Sequence, residues 1–147
     1  MAVSRVRIRQ ALAADADAVF ALVEQLDSSY SPDRGSFDGA FRDAIDEAED
    51  HILFVATDAA GKVVGYAMTT IARLLYTNGD FAQIQELAVD EAARGAGIGS
   101  QLVTAVEDEC RSRGVRQLTV ASSRGADFYA RLDYRSTADF LKKNFGE

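Results

Sequence analysis

Hydrophobic and polar positions follow two different periods along this chain. Val6 and Ile8, interleaved with Arg5, Arg7 and Arg9, alternate as a short strand over residues 3–9. The period then lengthens. Val19, Leu22, Val23 and Leu26 fall on one face of a 3.6-residue helix that Asp15 or Asp17 would cap. Residues 28–35, with Pro32 at a turn position, break that helix. A second helix is predicted over 37–49, carrying Phe41, Ile45 and Ala48 inward and a run of acids outward. Residues 51–57 form a nearly continuous apolar strand, and Asp58-Ala59-Ala60-Gly61-Lys62 reads as a hairpin turn into a strand over 63–74. Asn78-Gly79-Asp80 is a second turn signal, and it hands the chain to a strand beginning at Phe81.

The rest of the chain is organised around residues 84–106. Residues 84–89 mix apolar and polar positions as a partly buried strand does, and residues 90–93 turn out of it. Ile98, Leu102, Val103, Val106 and Cys110 then share one face of a helix that begins near Gly97 and that Gly114 is placed to end. Between strand and helix sits Arg94-Gly95-Ala96-Gly97-Ile98-Gly99. Glycines let a turn tighten and bring its amides close to a bulky anion, at a helix N-terminus whose free N–H groups and dipole favour negative charge. Arg94 adds a cation that can fork onto a phosphate. Further on, 117–121 reads as a strand, 125–132 as a short helix, and 134–145 as the last strand or pair of strands.

Two common phosphate cradles fit poorly. A P-loop closes its glycine turn with Lys-Ser/Thr, whereas Gly99 is followed by Ser100 and Gln101. A dinucleotide fingerprint needs a third small residue where Leu102 stands, and an acid after the next strand, where Ala121 and Ser122 stand.

Composition narrows the picture further. At 147 residues the chain suits a single domain spanning 1–147. No long uncharged apolar run could cross a bilayer, and the start of the chain lacks a signal peptide's apolar stretch, so a soluble cytoplasmic protein with no membrane partner is expected. The net charge of −7 disfavours non-specific attraction to nucleic acid. Cys110 is the single cysteine and lies on an apolar helix face, as a small buried hydrophobe would. His51 is the single histidine, so a metal site or a triad built on several histidines is hard to assemble; no metal is expected.

The run E-L-A-V-D-E-A-A-R-G-A-G-I-G closely resembles the acetyl-coenzyme A motif of the GNAT N-acetyltransferases, whose Gln/Arg-x-x-Gly-x-Gly/Ala signature falls here on Arg94, Gly97 and Gly99. About thirty residues later, Phe128-Tyr129-Ala130-Arg131-Leu132-Asp133-Tyr134 resembles the family's F-Y-x-x-x-G-F/Y segment. The resemblance is specific over 83–134. It implies an α/β (α+β) fold with a mixed, twisted central sheet of about six to seven strands and about four helices. It also implies acetyl-coenzyme A as cosubstrate and a primary amine, on a small molecule, as acceptor. A homodimer through the C-terminal strands is common among similar proteins.

The resemblance assigns roles residue by residue. Arg94, Gly95, Ala96, Gly97, Ile98 and Gly99 would hold the pyrophosphate, and the main chain of Leu87, Ala88 and Val89 would meet the pantetheine arm. Glu86 would act as base, directly or through water, and Tyr129 would protonate the departing thiolate and touch the donor. Ser123 stands where an asparagine often contacts the donor, and Asp133 where glycine is usual. On the residues alone, Glu86 also reads as a solvated carboxylate facing an acceptor groove, and Tyr129 as a core aromatic beside Phe128. A donor-binding sensor without turnover, a nucleotide-binding regulatory module and an acetyltransferase acting on protein amino groups stay open as alternatives. The acids Asp38, Asp43, Asp46, Glu47, Glu49 and Asp50, on or beside the second helix, would favour a small cationic acceptor.

Overall fold

The computed structural model describes residues 5–26, 30–122 and 125–146. Strands β1 (Arg7–Gln10), β2 (His51–Thr57), β3 (Val63–Arg73), β4 (Asp80–Val89) and β5 (Gln117–Val120) form one sheet in the order β1-β2-β3-β4-β5. The first three pairings are antiparallel and β4 runs parallel to β5, so the sheet is mixed. Helices α1 (Ala16–Val23) and α2 (Arg34–Asp46) belong to one face, and α3 (Ile98–Ser112) and α4 (Ala126–Ala130) to the other. Because both faces are covered, β2 is buried along nearly its whole length, as its unbroken apolar run required.

Each face has its own core. The inner stripe of α3, Ile98, Leu102, Val103, Val106 and Cys110, packs on Ile52, Phe54, Val64, Ala67, Ala82 and Ile84. On the opposite face Val19, Leu22, Phe41 and Ala44 meet Leu53, Val55, Val63, Tyr66 and Ala88. Burying side chains of this size stabilises by about 1.5–3 kcal/mol each. Asp15 lies just before α1, but its carboxylate does not cap that helix. It accepts a fork from Arg9 (2.7 and 2.9 Å) and the Leu12 N–H (2.7 Å), tying β1 to the turn that precedes α1. Bonding to Arg9 holds the Asp15 carboxyl below its ordinary pKa.

The elements follow the expected order as far as α4, and some of their ends differ. α2 opens earlier than expected, at Arg34, because the Asp33 side chain accepts the Ser36 N–H at 2.9 Å and so caps it; Ala48 lies beyond the helix and is exposed. Five strands, not six to seven, occur among the described residues. Residues 134–146 carry no strand, and 135–146 are exposed throughout, with Phe140, Leu141 and Phe145 in solvent. The physical reason is visible in the segment. Its apolar side chains come as an adjacent Phe140-Leu141 pair followed by two lysines, without the alternation that would give a strand a buried face.

Both helices of the second face end in the same way. Gly114 N–H bonds Arg111 O and Val115 N–H bonds Cys110 O, with Gly114 at φ 76°. After α4, Asp133 N–H bonds Ala130 O and Tyr134 N–H bonds Tyr129 O, with Asp133 at φ 70°. The left-handed conformation costs an L-residue about 1–2 kcal/mol, and aspartate less than most. Asp133→Gly should therefore stabilise the fold by up to about 1 kcal/mol, or roughly 2–4 °C in a chain of this size, with no change in secondary structure. Thermal unfolding followed by circular dichroism reads this directly; a lower midpoint would show that the carboxylate has a role of its own.

Candidate functional site

The site begins with an irregularity in β4. Met68 pairs with Glu86 but Thr69 pairs with Ile84, so Gln85 is an extra residue in the ladder. Ala82 and Ile84 pack towards α3, as do Leu87 and Val89, whereas strict alternation would have sent 86 to that face and 87 to the other. The bulge thus turns Glu86 to the α1/α2 face. It also coincides with the end of the parallel pairing, whose last partners are Ile84 and Val120. Beyond that point β4 is paired only with β3.

Which groups line the open edge follows from the ladder. Asp90 N–H bonds Val64 O at 2.8 Å, and by antiparallel alternation the N–H and C=O of Ala88 also face β3. Those of Leu87 and Val89 face the side that β5 has left. Val89 O confirms this direction, because the Arg94 Nε–H reaches it at 3.0 Å. Of the residues expected to meet a donor through their main chain, Leu87 and Val89 are so oriented, while the Ala88 amide is turned towards β3.

The glycine turn stands at the end of this edge. A short 3₁₀ turn (Glu91–Ala93), opened by Asp90 accepting the Ala92 N–H, leads into Arg94. Gly95 (φ 84°) and Gly97 (φ 82°) are both left-handed, a conformation that suits glycine, and Gly97 is the N-cap of α3. The N–H groups of Ile98 and Gly99 lie in the first turn of α3, where no intrahelical acceptor exists. A Cβ on Gly95 would meet nothing within 4 Å, so space lies above the turn. On Gly99 it would meet Phe128 Cζ at 3.4 Å and Val89 Cγ2 at 3.9 Å, which shows that α3, α4 and the open edge converge there. These residues fit a pyrophosphate donor: oriented amides, a helix N-terminus, an exposed arginine and open room.

Tyr129 follows Phe128 on α4, the two rings edge-on with centroids 4.9 Å apart, and Tyr134 stands 5.6 Å away on its other side. It sits in the cluster that includes Leu87, Val89 and Val120, and burial holds its phenol above the ordinary pKa, so it keeps its proton at neutral pH. Glu86 is half-buried on the opposite face. Tyr129 and Glu86 therefore flank β4 from two sides and share no hydrogen bond among the described residues. Ser123 lies outside the described residues.

Tyr66 was not among the expected site residues. Only 1% exposed, it donates from its hydroxyl to Glu86 Oε1 at 2.5 Å. Burial, then the Glu86 charge, push its phenol far above the ordinary value, so the proton stays on Tyr66 and the carboxylate is fixed in place. Above this pair is a cavity of about 260 Å³ lined by Val19, Val23, Phe37, Phe41, Leu53 and Met68, with Asp43, Glu47 and His51 among its polar groups. His51 starts β2 as expected, and its Nδ1 must carry a proton because it lies 2.9 Å from Glu47 O, which can only accept. Cys110 is buried and its thiol is pushed up by burial, away from nucleophilic chemistry. No group of three or more metal-ligating side chains occurs among the described residues, and no helix there is long and apolar enough to cross a membrane.

A model of the Acetyltransferase (GNAT) family matches residues 17–134, which includes the open edge, the glycine turn and Tyr129. The chain belongs to the GNAT family. It is an acetyl-transferring enzyme, as its named relatives are. It is 28% identical over 132 residues to "Glucosamine 6-phosphate N-acetyltransferase 1" of Oryza sativa subsp. japonica, covering 87% of this chain and 80% of that protein. It is 30% identical over 102 residues to "IAA acetyltransferase" of Azospirillum brasilense, covering 69% and 64% respectively. Among solved structures, glucosamine-6-phosphate N-acetyltransferase from Arabidopsis thaliana shares the fold with a TM-score of 0.83 at 24% identity, over 97% of this chain and 100% of that one. The family uses acetyl-coenzyme A as cosubstrate.

Proposed function

We propose that this GNAT enzyme moves an acetyl group from acetyl-coenzyme A to a primary amine of a small molecule, by direct attack in a ternary complex. The observation that carries this reading is the bulge at Gln85, which lies where β4 loses its β5 partner beside the glycine turn and which aims Glu86 into the cavity on the other face. A concave pocket of this size, between two helices and the sheet, suits a small acceptor better than a segment of protein chain.

Acetyl-coenzyme A supplies the acetyl thioester. Arg94 and the amides from Gly95 through Gly99 hold its pyrophosphate, and the outward main chain of Leu87 and Val89 meets the pantetheine arm. Glu86, directly or through one water, takes the proton that the amine loses as its nitrogen bonds to the carbonyl carbon. Tyr129 gives its proton to the sulfur as the C–S bond breaks, which balances the reaction as amide plus thiol. Tyr66 keeps the Glu86 carboxylate oriented and leaves its second oxygen to the amine or the water.

Thiol release from acetyl-coenzyme A across a panel of amines tests the reading, and absence of turnover with every amine would leave a donor-binding domain. Donor binding has its own test. Gly97→Trp places an indole where the pyrophosphate approaches and strains the cap by about 1–2 kcal/mol, which the fold can absorb. Acetyl-coenzyme A affinity should fall at least about tenfold by calorimetric titration while the far-ultraviolet dichroism is kept. Unchanged affinity would move the donor elsewhere.

A further inference from the structure

The cavity between α1, α2 and the sheet has two chemically distinct parts. Its walls are apolar: Val19 and Val23 from α1, Phe37 and Phe41 from α2, Leu53 and Met68 from the sheet. Its acidic groups are Glu86 at one end, Asp43 in the last turn of α2 and Glu47 at the C-cap that follows; His51 lines it too, and no Lys or Arg does among the described residues. Like charges four residues apart work against a helix unless something positive lies between them. Asp38 and Asp17 of this region are paired with Arg34, and Glu109 with Arg113; Asp46, Glu49 and Asp50 have no ion pair among the described residues but do not line this cavity. Among the described residues, neither Asp43 nor Glu47 has an ion pair, and both border the cavity. Arg113, at the C-cap of α3, donates to Glu109 and to the carbonyls of Ala48 and His51.

We infer that the acceptor is a diamine with an apolar body, whose reacting nitrogen meets Glu86 and whose second, protonated nitrogen meets Asp43 and Glu47. The inference rests on the transferase reading above and adds the substrate class. An alkyl or aryl chain fills the space between Phe37, Phe41, Leu53 and Met68, which a polar sugar would leave poorly solvated. A phosphorylated amine fares worse, since its dianion would lie against three carboxylates with no cation to receive it. The phosphosugar in the rice relative's name is therefore not the acceptor this cavity selects.

Thiol release is measured with 1,5-diaminopentane, n-pentylamine and glucosamine 6-phosphate, for the wild type and for D43N/E47Q. Calorimetric titration of 1,5-diaminopentane accompanies it, into the free protein and into the protein saturated with coenzyme A. The diamine should exceed pentylamine in kcat/KM by about tenfold, the size of one charge-assisted contact. That ratio should fall towards one in D43N/E47Q, and the diamine's KM should rise with ionic strength because Asp43 and Glu47 are exposed and exposed charges are screened over about 8 Å at physiological salt. The single variants D43N and E47Q give the same readout if the double variant does not fold. A preference for pentylamine or glucosamine 6-phosphate, or a ratio that the Asp43 and Glu47 variants leave untouched, overturns the inference while the transferase reading stands. Diamine binding that depends on Asp43 and Glu47, without thiol release for any amine, keeps the diamine contact at these two acids but overturns its role as acceptor together with the proposed amine transfer. No diamine binding in either titration, with no diamine turnover, overturns the inference.

Discussion

Replacing Glu86 by glutamine should lower kcat by about 10²–10³-fold, the range that a positioned proton acceptor contributes. Glutamine keeps the shape of the side chain, and its carbonyl oxygen can still accept from Tyr66, so the β4–β3 packing is preserved and the loss falls on chemistry. A split between constants decides what Glu86 does. A residue that only attracts a cationic amine would, when neutralised, raise KM and leave kcat in place, whereas loss of a base lowers kcat with little change in KM. Pre-steady-state thiol release, which isolates the chemical step, is the measurement that separates these cases. Unchanged kcat with a raised KM would reassign Glu86 to acceptor binding alone. Tyr66→Phe offers a milder probe of the same site: the carboxylate remains but its 2.5 Å donor is gone. Its kcat should fall less than that of Glu86→Gln, because orientation is impaired while the acceptor of the proton survives.

The helices and the two long hairpin strands were legible because each has a strong period or a specific turn residue. The stripe from Ile98 to Cys110 gave α3, and Gly61 and Asn78-Gly79 gave the turns, with Gly61 at φ 85° and Asn78 at φ 57° in the fold. The glycine turn was legible for the same reason: the tight turn expected of these glycines is made by Gly95 and Gly97, both left-handed in the fold. What the sequence reading passed over was the bulge. Its signal was present in the apolar spacing: Ala82, Ile84, Leu87 and Val89 step by two, three and two, and the step of three is where a residue has been inserted. Without it the face of Glu86 cannot be deduced, nor its contact with Tyr66, twenty residues away on another strand. The C-terminal strands failed for a different reason. They were read from the apolar residues that remain after the last helix, and the local pattern of residues 134–146 has no alternating face to support a strand.

Tyr129→Phe should reduce kcat by about 10²-fold and leave acetyl-coenzyme A affinity near that of the wild type. The ring fills a core position beside Phe128 and Tyr134, and phenylalanine keeps that volume, so the variant removes one hydroxyl from an otherwise preserved cluster. What remains is a chemical difference: the sulfur leaves without a proton donor and must depart as a free thiolate or wait for water. Burial raises the Tyr129 pKa above the ordinary phenol value of about 10, so the proton is present throughout the neutral range and is lost only at strongly alkaline pH. For an acid, a raised pKa extends the range of activity upward. The wild type should therefore hold its rate to high pH before an alkaline fall, and the Phe variant should be slower at every pH and lack that fall. Rate profiles of the chemical step for both proteins give the comparison. A variant with wild-type kcat, or one whose alkaline limb is unmoved, would assign Tyr129 to the core alone and require the thiolate's proton to come from solvent.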